Sequence, residues 1–277
     1  MLSYKHGYHA GNQADVLKHI CLIQAYKSLK KHHNSISYID THAGSGDYNF
    51  KSDYMSKNKE YENGISKLEN YKYENQSIKY YLKVLRNINN SKKMFFYPGS
   101  PLIMSYMSDN TDKLSFYELH NNEFVLLRKN LSKQINSKVF NKDGFDFTNQ
   151  KINSNEKTLV LIDPSYEIKD DFIKVVNTLR QLDQEYLNLT AIIWYPVLNI
   201  ENNDIFIENI RKLGSNRLTR IELPLKKYNE EIGMKGSGII LFNGSKFLIN
   251  NMKECVKELY QIFKDENCNI KPKIQKI

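Results

Sequence analysis

The residues best suited to chemistry lie where a short apolar run, Thr158 to Ile162, ends in an acidic residue, a proline and an aromatic. Asp163 can accept a hydrogen bond from an exocyclic amine, and the carbonyl of Pro164 can act as a second acceptor because proline fixes the turn. Tyr166 offers a ring face on which a flat base can stack. The same tetrapeptide, Asp-Pro-Ser-Tyr, is also an ordinary way to end a strand in a turn, so taken alone it leaves both interpretations open.

A glycine-containing loop follows an earlier apolar run. Ser35 to Asp40 leads into Thr-His-Ala-Gly-Ser-Gly, where Gly44 and Gly46 let the backbone pass close to a nucleoside-bearing ligand. Asn49 stands where a dinucleotide fingerprint needs its third glycine, which disfavours a pyrophosphate-binding turn and a nicotinamide dehydrogenase. A ligand with an adenosine but no phosphate, such as S-adenosylmethionine, fits better, with a simple tight turn as the alternative.

Two further acidic residues follow other predicted strands. Glu118 lies at the carboxyl end of Leu114 to Leu119, where an acid can accept hydrogen bonds from ribose hydroxyls. Asp143 precedes Gly144, so a carboxylate can bind an adenine amine while the backbone approaches the ring. Each signal is weak alone, but the glycine loop, the two acids and Asp163 end successive strands, and such ends converge on one crevice in an open α/β sheet.

The elements that must position these residues alternate between short β-branched or aromatic runs and helical patterns, which predicts βα units and a largely parallel sheet. We expect the last two strands to pair antiparallel at one edge, because no helical pattern separates them. The seven predicted strands are Ser35–Asp40, Leu114–Leu119, Lys138–Phe140, Thr158–Asp163, Ala191–Pro196, Leu218–Leu223 and Gly238–Asn243.

An amphipathic helix is predicted before the first strand, from Asn12 to His33, with Asn12 as its cap. Asp15 and His19 are four residues apart on this helix, so their side chains can meet on one face.

The segment from Lys51 to Lys93 has helical patterns around 64–71 and 78–88 and no strand candidate. We predict a small inserted helical subdomain over residues 51–93, within a main domain formed by residues 1–50 and 94–277. A long crossover lying flat on the sheet is the alternative.

Six blocks of the sequence resemble the RlmJ-type adenine-N6 methyltransferases of bacterial large-subunit ribosomal RNA. The most specific is the opening from Leu2 to His19, Leu-Ser-Tyr-Lys-His-Gly-Tyr-His-Ala-Gly-Asn-Gln-Ala-Asp-Val-Leu-Lys-His, because general methyltransferases share only the glycine loop and the Asp-Pro motif. The other matching blocks are Asp40–Gly46, Tyr97–Pro101, Phe116–His120, Asp143–Phe145 and Trp194–Val197.

The resemblance implies a Rossmann-like class I methyltransferase fold, S-adenosylmethionine as cofactor, and N6-methylation of a single adenine, adenine 2030, in protein-free 23S rRNA by a monomer. It implies that Asp163 is catalytic, with Pro164 and Tyr166 beside it, that Tyr4 contacts RNA, and that His6 and Lys18 lie at the mouth of the site. The expected cofactor contacts include Gly44 of the glycine loop. The full set is His19, His42, Gly44, Ser100, Glu118, Asp143, Gly144 and Asp163.

The chain departs from the family at Ser165, where the family usually has proline. Serine restores a backbone N–H and loosens the turn, so the turn alone does not fix the position of the Tyr166 ring.

The composition narrows the class of protein. A formal net charge of +9 favours an anionic partner, with a solvated lysine-rich surface as the alternative. Lys27, Lys30 and Lys31 form the expected footprint of such a partner. The three cysteines are far apart and form no metal or disulfide motif, and the histidines lack metal-ligand spacing, so we predict reduced thiols and no metal. With no apolar run long enough for a membrane span and no signal peptide, we expect a cytoplasmic protein.

Two alternatives to the rRNA adenine methyltransferase function remain. They are a DNA adenine methyltransferase and a non-catalytic RNA-binding protein.

Overall fold

The computed structural model describes residues 6–149, 156–198, 200–227 and 233–277, without the side chains of residues 200–202. A mixed sheet of eight strands forms the centre of the described fold, and a two-stranded antiparallel ribbon stands beside it. The strands are β1 (Ile36–Asp40), β2 (Asp47–Asn49), β3 (Phe96–Pro98), β4 (Lys113–Tyr117), β5 (Ser137–Phe140), β6 (Lys157–Ile162), β7 (Leu189–Val197), β8 (Leu218–Pro224), β9 (Gly236–Phe242) and β10 (Lys273–Lys276).

The strand order is β10-β8-β9-β7-β6-β1-β4-β5. The β5-β4-β1-β6-β7 part is parallel throughout, so the carboxyl ends of these strands share one edge. This confirms the α/β class and the convergence of the strand ends predicted from the sequence.

The last two predicted strands do pair antiparallel, with Leu218 opposite Phe242. One detail of that prediction was wrong: an eighth strand, β10, pairs antiparallel with β8 and takes the edge. β9 lies between β7 and β8. The short run Lys-Ile-Gln-Lys is too polar to predict a strand by itself, and it becomes one because β8 offers unpaired backbone groups.

Helices cover both faces of the sheet, and their bounds are α1 (Gln13–Lys30), α2 (Asp53–Asn58), α3 (Lys67–Glu69), α4 (Gln76–Ile88), α5 (Ser100–Met107), α6 (Asn121–Asn130), α7 (Asp170–Glu185), α8 (Ile200–Arg211) and α9 (Lys246–Phe263). A π-helical turn spans Glu62–Ser66, and 3-10 turns span His6–Tyr8 and Gly144–Asn149. None of the helices in the described ranges combines the length and the apolar character needed to cross a bilayer.

Helix α1 begins as predicted at Asn12, whose side-chain oxygen accepts hydrogen bonds from the backbone N–H groups of Ala14 and Asp15 at 3.0 and 3.1 Å. The amphipathic prediction was wrong, because fourteen of its eighteen residues are buried, including Asp15, Lys18 and His19. The helix packs against the sheet, α4, α5 and α9, so it has only a narrow solvent face. Polar side chains inside such a helix need partners or a ligand, which draws attention to those three residues.

The segment 51–93 holds helices α2, α3 and α4 and the π-helical turn, and no strand was found in it. Its buried side chains, among them Ile65, Leu68 and Leu82, belong to the same apolar cluster as those of α1 and α9. The segment therefore packs into the main core, and its status as a separate subdomain stays a prediction.

Candidate active site

A cavity of about 360 Å³ opens at the carboxyl ends of β1, β4, β5 and β6. A volume of this size is typical of small-molecule sites. Eleven of the site residues named from the sequence line it: His6, Lys18, His19, His42, Gly44, Ser100, Glu118, Asp143, Gly144, Asp163 and Pro164. Tyr166 is not among the lining residues, and Tyr4 lies outside the described residues.

The glycine loop and the strand-end acid are joined directly. The Glu118 carboxylate accepts hydrogen bonds from the backbone N–H groups of Gly44 at 2.8 Å and His120 at 2.7 Å. Each carboxylate oxygen can accept a second bond, so acceptor capacity remains for a ligand hydroxyl. Burial raises the pKa of Glu118, although these two backbone bonds oppose that shift.

Gly44 has a left-handed backbone, with φ of +63°, and a Cβ there would lie 2.2 Å from the Tyr48 hydroxyl oxygen. Only glycine fits this position without moving the tyrosine.

The Asp-Gly pair after β5 packs against the loop after β1. A Cβ on Gly144 would lie only 1.7 Å from the carbonyl oxygen of Thr41, so the two loops touch through backbone alone. Asp143 accepts a hydrogen bond from the Phe145 N–H at 3.0 Å and pairs with Lys174 at 3.1 Å. Burial raises the pKa of Asp143, but that backbone bond and Lys174 outweigh it and leave the pKa below its usual value.

Two histidines of the wall, buried His19 and partly buried His42, have lowered pKa values. Burial lowers the pKa of His42 to about 4 and that of His19 to about 3. Nδ1 of His19 bonds to the Tyr97 hydroxyl at 2.6 Å, while its buried Nε2 has no hydrogen-bond partner among the described residues. A buried polar atom left without a partner is costly, so His19 is suited to bond a polar group of a ligand in the cavity.

Lys18 connects the first turns of α1 to the Asp-Pro motif. Its buried ammonium pairs with Asp15 at 2.7 Å and also with Asp163. Burial lowers the pKa of Lys18, but the two carboxylates outweigh it and raise the pKa above its ordinary value. Asp15 in turn bonds to His6 at 3.0 Å and to the Gly11 N–H at 2.9 Å. The four-residue spacing allowed Asp15 to meet His19, but Asp15 bonds to Lys18, His6 and Gly11 instead.

Tyr166 adopts a left-handed backbone, with φ of +53°. Its hydroxyl donates to the carbonyl of Trp194 at 2.6 Å, and its ring centroid lies 4.5 Å from that of Phe172 and 5.7 Å from that of Trp194. The backbone N–H of Tyr166 bonds to Asp171 at 3.0 Å. The turn is thus held by contacts to α7 and β7 even though Ser165 replaces the usual proline.

The cavity wall fits an S-adenosylmethionine molecule by the chemistry of its groups. Carboxylates suited to hydroxyls and amines stand at Glu118 and Asp143, and His19 presents an unpartnered buried nitrogen. The glycine positions allow close backbone approach. Among the described residues, no cluster of histidine, cysteine and carboxylate side chains has the arrangement of a metal site.

Comparison with known proteins decides the family. The family model described as "Ribosomal RNA large subunit methyltransferase D, RlmJ" matches residues 33–271. The chain belongs to the RlmJ family. A relative from Haemophilus influenzae named "Ribosomal RNA large subunit methyltransferase J" is 34% identical over 261 residues, covering 94% of this chain and 93% of the relative. The protein of the same name from Escherichia coli is 34% identical over 244 residues, covering 88% of this chain and 87% of its own.

A solved structure shares the whole fold with this RlmJ family member. Protein LPL1258 from Legionella pneumophila superposes with a TM-score of 0.86 at 29% identity, covering 97% of this chain and 98% of that protein. The Rossmann-like methyltransferase fold inferred from the sequence is thus shown.

Sequence reasoning missed several residues of the RlmJ-type cavity wall. Tyr48, Glu123 and Lys174 line it but lie in no recognisable motif, and Thr41 lines it from within the glycine-loop block without having been named as a site residue. Lys174 gave no signal, because it is on α7, far along the chain from its partner Asp143. His120 lines the cavity too, and its place at the end of the block Phe116–His120 was the signal that could have identified it.

Proposed function

We propose that this protein transfers the methyl group of S-adenosylmethionine to N6 of one adenine in 23S rRNA, adenine 2030 in the family's numbering. In this proposal it acts in the cytoplasm as a monomer on protein-free RNA. The family membership supports the reaction class and the rRNA substrate. The DNA adenine methyltransferase alternative lacks that support.

The observation that carries the proposal is the position of Asp163 and Pro164. They follow β6 on the wall of the same cavity that the eight proposed cofactor contacts line. An adenine amine that reaches Asp163 is therefore beside the proposed cofactor. His19, His42, Gly44, Ser100, Glu118, Asp143, Gly144 and Asp163 are the groups proposed to hold that cofactor.

The bound cofactor would supply an electrophilic methyl group on a sulfonium, so the main task left to the protein is alignment. Asp163 and the carbonyl of Pro164 are proposed to accept hydrogen bonds from the N6 hydrogens of an adenine that has left its stack. These bonds favour the pyramidal nitrogen that can attack. Lys18 pairs with the Asp163 carboxylate and holds it in place.

Asp163 need not be a strong base in this scheme. In this scheme the N6 proton passes to Asp163 or to water after the methyl group has been transferred, when the amine is far more acidic. In this proposal Tyr166 offers a ring face to the adenine, and Tyr4, His6 and Lys18 contact the RNA. Extruding a paired base costs a few kcal/mol, which favours single-stranded or locally opened RNA.

The decisive experiment is methyl incorporation into protein-free 23S rRNA, with the modified position mapped by mass spectrometry and duplex DNA as the competing substrate. Asp163→Ala should abolish transfer while the cofactor affinity measured by calorimetry stays within about tenfold, a change below roughly 1.4 kcal/mol. Asp143→Ala is the matched control: it should weaken cofactor binding more than Asp163→Ala does.

Retained turnover in Asp163→Ala would remove that residue from the mechanism. Preferential methylation of duplex DNA by the wild-type protein would favour the DNA enzyme instead. Failure of the wild-type protein to bind S-adenosylmethionine at all would favour a non-catalytic RNA-binding protein.

A further inference from the structure

The 360 Å³ cavity at the carboxyl ends of the strands is called the methyl-transfer cavity below. A second cavity, of about 530 Å³, lies at the amino ends of the central strands. Lys157, the first residue of β6, and Thr190, near the start of β7, line its floor. Its sides come from the residues that end α1 and from the start of α9, including His33 and Ser245. The two cavities therefore stand at the amino and carboxyl ends of the same strand, β6.

The lining of this second cavity is basic. It includes Lys31, His32, His33 and Lys157, and none of the described residues that line it is acidic. In the described part of the chain, no hydrogen bond or ion pair occupies the side chains of His32, His33 or Lys157. These groups are available to an anion, unlike most basic side chains near the active site.

The three lysines predicted from the sequence as a binding footprint, Lys27, Lys30 and Lys31, have different surroundings in the fold. Lys27 lies over the Tyr80 ring, 3.6 Å from its centroid, and Lys30 forms ion pairs with Asp109 at 2.8 Å and Asp112 at 3.1 Å. Lys31 alone of the three lines the second cavity.

The electrostatics of the second cavity favour a bound anion. Burial lowers the pKa of Lys157, and burial together with Lys157 and His32 lowers the pKa of His33. An anion between these groups would relieve their mutual repulsion. The first turn of α9, an eighteen-residue helix capped by Ser245, adds backbone N–H groups with a favourable dipole.

An aromatic ring stands at the rim. Phe247 is 46% exposed, and the ammonium of Lys31 lies 3.8 Å from its ring centroid. A cation beside an exposed ring suits a nucleotide, because the cation can contact phosphate while the ring offers a stacking face.

We propose that the second cavity binds backbone phosphates of the ribosomal RNA substrate, giving the protein an RNA contact at the far end of β6 from the reacting base. The identity of this RNA rests on the proposed function; the preference for a polyanion rests on the cavity itself. Such a contact would raise affinity and orient the RNA without touching the methyl-transfer step.

The test compares three proteins: wild type, Lys31→Gln/Lys157→Gln, and the control Lys253→Gln/Lys271→Gln. The control removes the same charge from two exposed lysines that line neither cavity. Binding of a protein-free 23S rRNA transcript is measured by filter retention from about 50 to about 200 mM salt. Thermal unfolding checks that the variants fold, and Lys31→Glu, at an exposed position, repeats the test without changing half-buried Lys157.

We expect the cavity variant to bind RNA roughly tenfold more weakly, with the slope of log affinity against log salt reduced by about 1.5, since each lost phosphate contact removes about 0.7 to 0.9. The KM for RNA should rise by the same factor while kcat and cofactor affinity stay at the wild-type values. The control should change little.

Equal affinities and salt slopes in the cavity variant and the control would overturn the proposal, as would a loss confined to kcat. The binding measurement needs no turnover. A wild-type protein that binds the transcript but does not methylate it would therefore overturn the proposed function, and the second cavity would still be judged by the two variants.

Discussion

Replacing Lys18 with methionine is the perturbation whose effect follows most directly from the geometry. The lysine side chain is 4% exposed and bridges Asp15, which is 2% exposed, and Asp163, which is 12% exposed. Methionine keeps the volume and removes the charge, so two buried carboxylates would face each other with no cation between them.

Breaking a buried ion pair by removing one partner costs about 3 to 5 kcal/mol. Asp15 keeps its bonds to His6 and to the Gly11 N–H, so we expect the lower end, about 3 kcal/mol of unfolding free energy at pH 8. Methyl transfer should fall about a hundredfold because the Asp163 carboxylate loses the contact that fixes it.

The loss should depend on pH. In the wild-type protein burial raises the pKa of Asp15, but His6 and Lys18 outweigh it and hold the pKa well below its usual value. This contribution to stability is present above the ordinary aspartate pKa and is lost as the pH falls through the lowered one. In Lys18→Met the pKa of one carboxylate should instead rise, since a like charge now stands beside it.

A carboxylate with a raised pKa destabilises the variant at neutral pH, and this penalty recedes as the pH falls through that pKa. The stability difference between wild type and variant should therefore be largest near pH 8 and smaller near pH 5. Urea denaturation at both pH values measures it.

Lys30→Met is a matched control on the same helix, because Lys30 bridges two aspartates, Asp109 and Asp112, away from the cavity. It should cost stability while leaving the methyl-transfer rate at the wild-type value. A loss below about 1 kcal/mol for Lys18→Met, unchanged between the two pH values, would refute the reasoning.

Two further substitutions examine single contacts. Gly144→Ala must separate the Asp143 loop from the Thr41 carbonyl, so cofactor affinity measured by calorimetry should fall at least tenfold. Gly214→Ala is the control: its left-handed backbone, with φ of +67°, makes alanine cost some stability, but the Cβ meets nothing within 4 Å and cofactor affinity should stay unchanged. Tyr166→Phe removes one hydrogen bond to the Trp194 carbonyl and should cost about 1 kcal/mol of unfolding free energy while keeping most of the activity. Equal loss of activity in Tyr166→Phe and Tyr166→Ala would show that the hydroxyl, and not the ring, supports catalysis.

The positions of the acidic strand ends could be predicted from the sequence because they depend on topology alone. Parallel strands bring their carboxyl ends to one edge, so Glu118, Asp143 and Asp163 had to approach one another once the βα rhythm was recognised. The glycine positions followed from the same logic, since close backbone contact tolerates no side chain.

Side-chain pairing was harder to foresee. On α1 the three- and four-residue spacings both bring side chains together, and Asp15 pairs with Lys18 rather than His19 because Asp163 and Tyr97 approach from other elements. The direction of the Tyr166 ring depends on Phe172 and Trp194 in the same way. These outcomes are set by tertiary neighbours that no local pattern contains.

The ribbon of β2 and β3 has a consequence for how this fold can vary. Asn49 pairs with Phe96, and the Gly99 N–H donates to the Gly46 carbonyl at 2.8 Å, so the segment 51–93 leaves and re-enters the structure at one point beside the cofactor loop. Lengthening a closed loop is inexpensive, about 0.6 kcal/mol for each doubling. The loops of this segment can therefore vary in length, but its helices are constrained, because Ile65, Leu68 and Leu82 belong to the same apolar cluster as the side chains of α1 and α9. Glu60 adds a polar connection, because its bonds to His9 and Asn12 join the segment to the start of the described chain.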